Sequence, residues 1–460
     1  DSWQKISPDL TRQLDRNKLE VMGRVWGIDS VAKNDSTSRY GAAIMISESP
    51  LKEGLIFVST DDGVINITED GGSNWRRVEK FRGVPDMSYI DDVLASSHDE
   101  NIAYAVFDNH KRGDYKPYVL KTEDRGKSWK SIAGNLPARG SAHTIVEDHV
   151  NPKLLFVGTE FGLFFTQDGG ANWTALKSNF PTIAVRDIEI QKRENDLVVG
   201  TFGRGIYIID DYSALRTNKS DLGAEMLFPV RDPWLYIEGD LWDAREKGSM
   251  GAEFFTSKNP SFGAVFTYYL KDGVKSRQSA RREAEIEIEK TSGNTPYPTW
   301  DVQREEDQEE SPGVFLMIRD SDGALVRQIE GEAAKGLHRS AWDLRLPAPD
   351  PIDLVDHGER PYWETPPAGP LALPGEYTAR LAVQKDGVLK EVSESQRFTV
   401  KALNASPEIA ADRKALQAFQ LKVAKLQRAV LGSTSVIGEL DQRIAHIRAA
   451  IIQTPSAGDN

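Results

Sequence analysis

Apolar residues in this chain come in short runs. "EGLIFVSTDDGVINITED" (53–70), "KLLFVGTEFGLFFTQD" (153–168) and "NDLVVGTFGRGIYIIDD" (195–211) share one pattern. An apolar strand leads to Gly or Ser, then Thr, then a tight polar turn, then a second apolar strand. Alternating or β-branched runs of this length, bounded by Gly, Asp and Asn, predict strands joined by hairpins. Further runs continue to about residue 402: "GAVFTYYLKDG", "VFLMIRDSDGALVRQIEGE", "GLHRSAWDLR" and "LPGEYTARLAVQKDGVLKEVSESQRFTV", again with Asp-Gly turns. Helical periodicity begins only near residue 405. After the helix start at Ser406-Pro407, Leu416, Phe419, Val423, Leu426 and Val430 step by three and four, as do Ile437, Leu440, Ile444, Ile447 and Ile451. "GSTS" (432–435) lies between the two sets, so the expectation is an antiparallel helical hairpin whose stripes pack on each other and on the preceding sheet domain.

One octapeptide punctuates the first part. "TEDGGSNW" (68–75), "TEDRGKSW" (122–129) and "TQDGGANW" (166–173) are copies of Thr-x-Asp-x-Gly-x-x-Trp. Asp70, Asp124 and Asp168 can accept amide bonds from the turn that follows. Gly72, Gly126 and Gly170 supply a backbone conformation costly for other residues. Trp75, Trp129 and Trp173 start the next strand and bury a large ring. The roles are met locally, so the box holds structure up rather than doing chemistry. The tryptophans lie 54 and 44 residues apart, a spacing that suits four-stranded propeller blades.

The repeats resemble the Asp-box (bacterial neuraminidase, BNR) repeat of sialidases, sortilin-type propellers, tandem-propeller xyloglucanases and photosystem assembly factors. They are most similar to sortilin-like propellers of large secreted bacterial proteins, often labelled putative glycosyl hydrolases. The resemblance covers roughly 1–212 and implies a β-propeller with its boxes on the outer rim, away from the central cleft. It does not choose between enzyme, receptor and scaffold. Residues 231–402 resemble the immunoglobulin-like domain of flagellar hook-capping proteins, with a charged insertion (Lys275 to Ser311) and a proline-rich loop (Pro347 to Pro374) added. "SARREAEIEIEK" in the insertion reads as a short helix or an extended hairpin. The expected organisation is propeller blades over 1–212, a linker over 213–230, a β-sandwich over 231–402 and the helical hairpin with its tail over 403–460. The fold class is mainly β.

Two readings of the blade count stand. The opening "DSWQKI" looks like the tail of another box with Trp3 in the tryptophan place, and the strands from Ala184 to Asp211 lack an outer strand. Either the N-terminal strand closes the last blade and makes a four-bladed ring, or the propeller is incomplete. The second is preferred. It implies a partner polypeptide carrying the missing blades, such as the N-terminal part of the same precursor, and a start inside a repeat suggests a processed piece.

Composition narrows the partners. A net charge of −13 with dispersed Lys and Arg argues against nucleic acid, and no apolar run reaches the length of a membrane span. The absence of cysteine excludes thiolate metal sites, a Cys nucleophile and disulfides. The seven histidines show no i, i+4 ligand spacing, so neither metal nor cofactor is expected. A glycosidase requires two carboxylates across a cleft, and the polar turns of the inner strands are where a propeller would place them. Those turns offer Asp61, Asp62, Asp91, Asp92, Glu160 and Asp187, with Arg186 and Arg204 for an anionic group and Trp26, Phe161 and Phe202 as aromatic platforms. The preferred expectation is a non-catalytic binding or scaffold protein of the bacterial envelope, secreted or periplasmic, whose propeller face holds a protein or glycan. The alternative is a glycoside hydrolase subunit acting on a polysaccharide.

Overall fold

The computed structural model describes residues 2–33, 35, 40–177, 179–237, 257, 259–352, 367–403 and 407–454. The chain forms two compact units, Asp1–Asp221 and Leu222–Asn460.

The first unit is a run of propeller blades, each an antiparallel meander. Blade one comprises β1 (Ala43–Glu48), β2 (Ile56–Thr60), β3 (Ile65–Thr68) and β4 (Arg76–Val78). Blade two comprises β5 (Tyr89–Ala95), β6 (Ala103–Asn109), β7 (Asp114–Thr122) and β8 (Lys130–Ser131). Blade three comprises β9 (Ala142–Glu147), β10 (Leu155–Thr159), β11 (Gly162–Thr166) and β12 (Thr174–Ala175). Blade four has three strands, β13 (Val185–Gln191), β14 (Asp196–Thr201) and β15 (Ile206–Ile209). Strands alternate, so each blade has two apolar faces, and the faces that meet at the three junctions between consecutive blades are buried against each other. Phe57, Ile65, Ile90, Phe107 and Trp129 fill the first junction, Tyr104, Val119, Leu155 and Trp173 the second, and Phe156, Leu163, Val185 and Ile188 the third.

The octapeptides close the outer hairpins by one repeated set of bonds. Thr68 Oγ1 donates to Asp70 Oδ1 (2.9 Å) and accepts from the Gly72 amide (2.8 Å), while Asp70 Oδ1 accepts from the Asn74 amide (2.9 Å). Thr122, Asp124, Gly126 and Ser128 repeat this, as do Thr166, Asp168, Gly170 and Asn172. Gly72 and Gly170 have φ of +99° and +101°, which favours glycine. Their missing Cβ also matters, because it would stand 2.5 Å from Ile6 O and 2.7 Å from Ile132 Cβ.

The opening segment departs from expectation. "SWQKI" forms no strand, Trp3 is fully exposed, and among the described residues nothing pairs with the free edge of β15. The four-bladed ring is therefore not formed. Ile6 instead docks on blade one, where its carbonyl accepts from Trp75 Nε1 (3.0 Å).

After β15, a short 3-10 turn (Tyr212–Arg216) returns over blade three. Arg216 donates to both oxygens of fully buried Asp148 (2.8 and 2.9 Å), and Tyr212 OH donates to Oδ1.

The second unit is a two-sheet sandwich. One sheet orders β16 (Glu225–Leu227), β18 (Ala264–Leu270) and β21 (Gly336–Trp342). The other orders β17 (Trp234–Leu235), β24 (Gln396–Ala402), β22 (Gly375–Lys385), β19 (Gly313–Asp320) and β20 (Leu325–Gly331), with β23 (Val388–Glu391) also on β22. Phe266, Tyr268, Leu316, Trp342, Leu381 and Phe398 form the core between them. The charged insertion is helical: α1 (Arg277–Lys290) is capped by Ser276 and tied by Arg281 to Glu306 of α2 (Trp300–Asp307).

The expected hairpin is corrected. α3 (Pro407–Gln453) is one continuous helix of 47 residues. The polar interruption is absorbed because Ser433 Oγ and Thr434 Oγ1 donate back to the carbonyls of Ala429 (2.8 Å) and Val430 (3.0 Å). Gly432 is not among the glycines of positive φ, so it makes no left-handed stop. The apolar spacing also runs through the interruption in phase, Val430 to Ile437 being one heptad, so a single straight stripe satisfies both halves. Gln417, Gln427 and Arg428 fasten the first half to Leu371, Asp350 and Ala348, yet the stripe stays exposed in both halves, Leu416, Phe419, Leu426 and Val430 as much as Ile437, Ile444, Ile447 and Ile451, so the expected packing of the stripes is not formed among the described residues.

Three substitutions test these contacts. Replacing either Gly432 or Gly438 by Ala should stabilise a continuous helix by about 1 kcal/mol, read as a higher melting temperature at 222 nm, because Gly438 has open space and the Gly432 Cβ would meet only Pro351 Cβ at 3.9 Å. Arg216→Gln leaves Asp148 buried without its cation and should cost about 3 kcal/mol in urea unfolding of the propeller unit.

Candidate functional site

Each blade carries one irregularity at the same place. In the first strand of every blade the register against the second skips one residue: Ile44, Asp91, His143 and Arg186. Such a bulge leaves its residue unpaired and re-aims its side chain. Repeated blade after blade, it collects side chains from distant parts of the sequence at the mouth of the blade array.

Three of the four bulge residues meet. His143, 3% exposed, places Nδ1 2.8 Å from Asp91 Oδ2 and Nε2 3.0 Å from Glu160 Oε2. Arg186 reaches the same pair, with Nη1 3.1 Å from His143 Nδ1 and Nη2 donating to Glu160 Oε2 at 3.2 Å. Its guanidinium also lies 5.6 Å from the centre of the Phe202 ring, an attractive placement over a π face. Phe161 and Phe202 are both largely exposed, in corresponding turns of blades three and four. A cavity of about 420 Å³ adjoins the cluster, lined by Tyr40, Tyr89, Asp108, His110, Lys111 and Arg112 among others. Burial pushes the Asp108 carboxyl up, but the His110 amide and ring outweigh it and hold the group below its ordinary range.

Asp91, Asp108 and His143 present ligand atoms within 4.8 Å of one another, and among the described residues they are the group that could hold a metal ion. The Arg186 guanidinium against His143 Nδ1 sets a fixed positive charge at that nitrogen. A cation would have to displace it, so the arrangement is a carboxylate–imidazole–guanidinium network and a poor fit to a metal.

Of the remaining candidates, Asp61 lines the cavity beside the cluster without bonding to it, and the others do not join it. Asp61 accepts from the Gly41 and Ala42 amides (3.0 and 2.8 Å), and fully buried Asp62 accepts from the Arg12 amide (2.6 Å) and Thr60 Oγ1 (2.6 Å). Asp187 accepts from the Ile188 amide (2.9 Å). Arg204 is exposed in the β14–β15 turn, and Trp26 stacks with Arg24 at 3.4 Å away from these turns. Asp92 points from blade two into blade three, accepting from Thr144 Oγ1 and the Ile145 amide, both at 3.0 Å.

His143 and Asp108 were not among the sequence candidates. Aligning the first strands from Ile90, Ala142 and Val185, as "IDDVLAS", "AHTIVED" and "VRDIEIQ", sets His143 level with Asp91 and Arg186, which is the signal that would have found it.

No family model matches the chain. A xyloglucanase of Paenibacillus sp is 25% identical over 150 residues, which is 30% of this chain and 14% of that protein, so the chain spans a small part of its relative. Among solved structures, a GH74 enzyme of Niastella koreensis is 13% identical with a TM-score of 0.31, over 42% of this chain and 32% of that one. YCF48 from Cyanidioschyzon merolae is 16% identical with a TM-score of 0.28, over 36% and 52%. Scores this low decide nothing about activity.

The buried carboxyl of Asp92 gives a pH test of the geometry. Burial pushes it from 3.8 up to about 6. Between those values the folded chain holds a proton that the unfolded chain has released, so stability falls as pH rises through this window. The loss is about 3 kcal/mol in all, roughly half of it between pH 5 and 8. Asp92→Asn keeps an acceptor for Thr144 and Ile145 and should remove this decline, measured as urea midpoints of parent and variant at both pH values.

Proposed function

We propose that this chain carries blades of an Asp-box propeller of the sortilin-like type and acts as a non-catalytic binding or scaffold protein. Its ligand surface is the patch formed by Glu160, Phe161, Arg186 and Phe202, presented to a protein or glycan in a secreted or periplasmic setting. The immunoglobulin-like sandwich and α3 attach it to a larger assembly of the envelope. One observation carries the reading: each of the six carboxylates offered by the inner turns is already an acceptor within the blades' own bonding. A glycosidase requires one protonated acid and one free base facing a shared space. Here the carboxyl raised towards neutrality, Asp92, is turned into a blade junction. The exposed aromatic rings beside a carboxylate and a guanidinium are what a sugar or peptide face recognises.

The hydrolase reading retains one support, the 25% identity to a xyloglucanase over 150 residues. The two separate in a single experiment on soluble xyloglucan. The binding reading expects no release of reducing sugar, together with retention in affinity electrophoresis that weakens about ten-fold in Arg186→Ala or Phe202→Ala. Reducing-sugar release that Glu160→Gln abolishes would establish the hydrolase instead.

A further inference from the structure

Blade three shows what a blade looks like when another follows it, and blade four carries the same features with nothing among the described residues of the propeller unit against them. Leu155–Thr159 and Leu197–Thr201 correspond residue by residue, as do Gly162–Phe165 and Gly205–Ile208. In blade three, Phe156 and Leu163 are buried against Val185, Ile188 and Ile190 of β13. Their counterparts are Val198 and Ile206. Ile206 is 71% exposed, and Ile208, the counterpart of Phe165, is 59% exposed.

The glycines sharpen the comparison. A Cβ on Gly158 would stand 2.6 Å from Val185 Cγ1 and 2.8 Å from Val185 O, so this glycine exists to let the next blade's first strand come close. Gly200 occupies the same place in blade four, yet its nearest neighbours belong to Asp187 of its own blade, at 3.5 Å or more. Among the described residues, it is a glycine of close approach without an approaching strand. Beside it, β15 leaves one edge unpaired among the described residues.

The other end of the array matches. Ile132, three residues after Trp129, caps the next blade's box: its carbonyl accepts from Trp173 Nε1 (2.8 Å) and its Cβ lies where a Gly170 Cβ would be. Ile6, three residues after Trp3, does the same to Trp75 and Gly72 of blade one. Trp3–Ile6 therefore has the place that the end of a preceding blade has on its neighbour.

We infer that both faces are occupied by further four-stranded blades bearing the same Thr-x-Asp-x-Gly-x-x-Trp box. The blade against β14 and β15 brings a first strand that opens on a β-branched residue, as β13 opens on Val185, seated over Gly200 and between Ile206 and Ile208. The blade before β1 ends in Trp3–Ile6. The added first strand also brings its own bulge residue beside Arg186 and Phe202, so the ligand patch is completed by the blade that covers it. This rests on the packing alone and holds whether the patch binds or cleaves.

The test is native mass spectrometry and peptide sequencing of the protein purified from its source cells, with hydrogen exchange followed at β15. The expected mass exceeds that of residues 1–460 by polypeptide in which the box recurs, on the same chain or on another, and the β15 amides exchange slowly. An Ile206→Asp/Ile208→Asp variant should lose that protection, while residues 1–460 expressed alone melt identically with and without the two changes, since both side chains are exposed there. A mass equal to residues 1–460, two copies of them, or a partner lacking the box would overturn the inference, as would rapid exchange of β15.

Discussion

A four-stranded sheet with apolar residues on both faces cannot stand alone in water, and the propeller unit is organised around that constraint. Each inner blade hides one face on the blade before it and one on the blade after. The fit depends on backbone approach as much as on side-chain burial. Gly158 lets Val185 close in, and Gly72 and Gly170 let Ile6 and Ile132 cap the rim. Burial of Phe156 or Leu163 contributes a few kcal/mol only when the neighbouring strand is at that distance. The junction is thus the unit of stability, and an array with an uncovered terminal face retains an unmet demand of the same size.

The box and the bulge divide the labour between rim and mouth. At the rim, Thr, Asp and Gly meet one another's hydrogen bonds and leave the tryptophan free to carry the junction. At the mouth, the bulge takes one residue of each first strand out of the ladder, so its identity is released from pairing. Ile44, Asp91, His143 and Arg186 share a place in the fold and no chemistry in common. Variation is tolerated where the backbone has stopped asking for a particular side chain, and that is where a binding surface can be written.

The strands, the hairpins and the box were legible because their determinants are local: a period of two, a turn residue, a threonine two positions from an aspartate. Of the site, Asp91, Glu160, Arg186, Phe161 and Phe202 were visible as polar or aromatic turn residues, but their convergence was not. It depends on a register skip that repeats between blades, and a single strand read by itself does not show a skip. His143 was missed for the same reason, since a histidine without a partner at helical spacing looks idle until the blades are laid over one another. The error in α3 had a different origin. "GSTS" is a plausible breaker taken alone, yet Leu416, Val423, Val430, Ile437, Ile444 and Ile451 fall seven apart straight through it. A turn would have had no reason to preserve that phase.

This difference between local and repeated signals explains why aspartates that looked most like catalysts are committed elsewhere. Asp62 anchors the opening segment from a polar turn and Asp92 anchors one blade to the next from within β5, both near the place where a hydrolase would keep its acids. A carboxylate at a blade junction has to be desolvated, which raises its proton affinity just as an active-site pocket would. Asp92 therefore shows the titration of a general acid without the access of one. What separates the two roles is the direction of the side chain, into the neighbouring blade or out of the mouth. By that criterion the mouth of this array is held by an imidazole, a guanidinium and two partnered carboxylates.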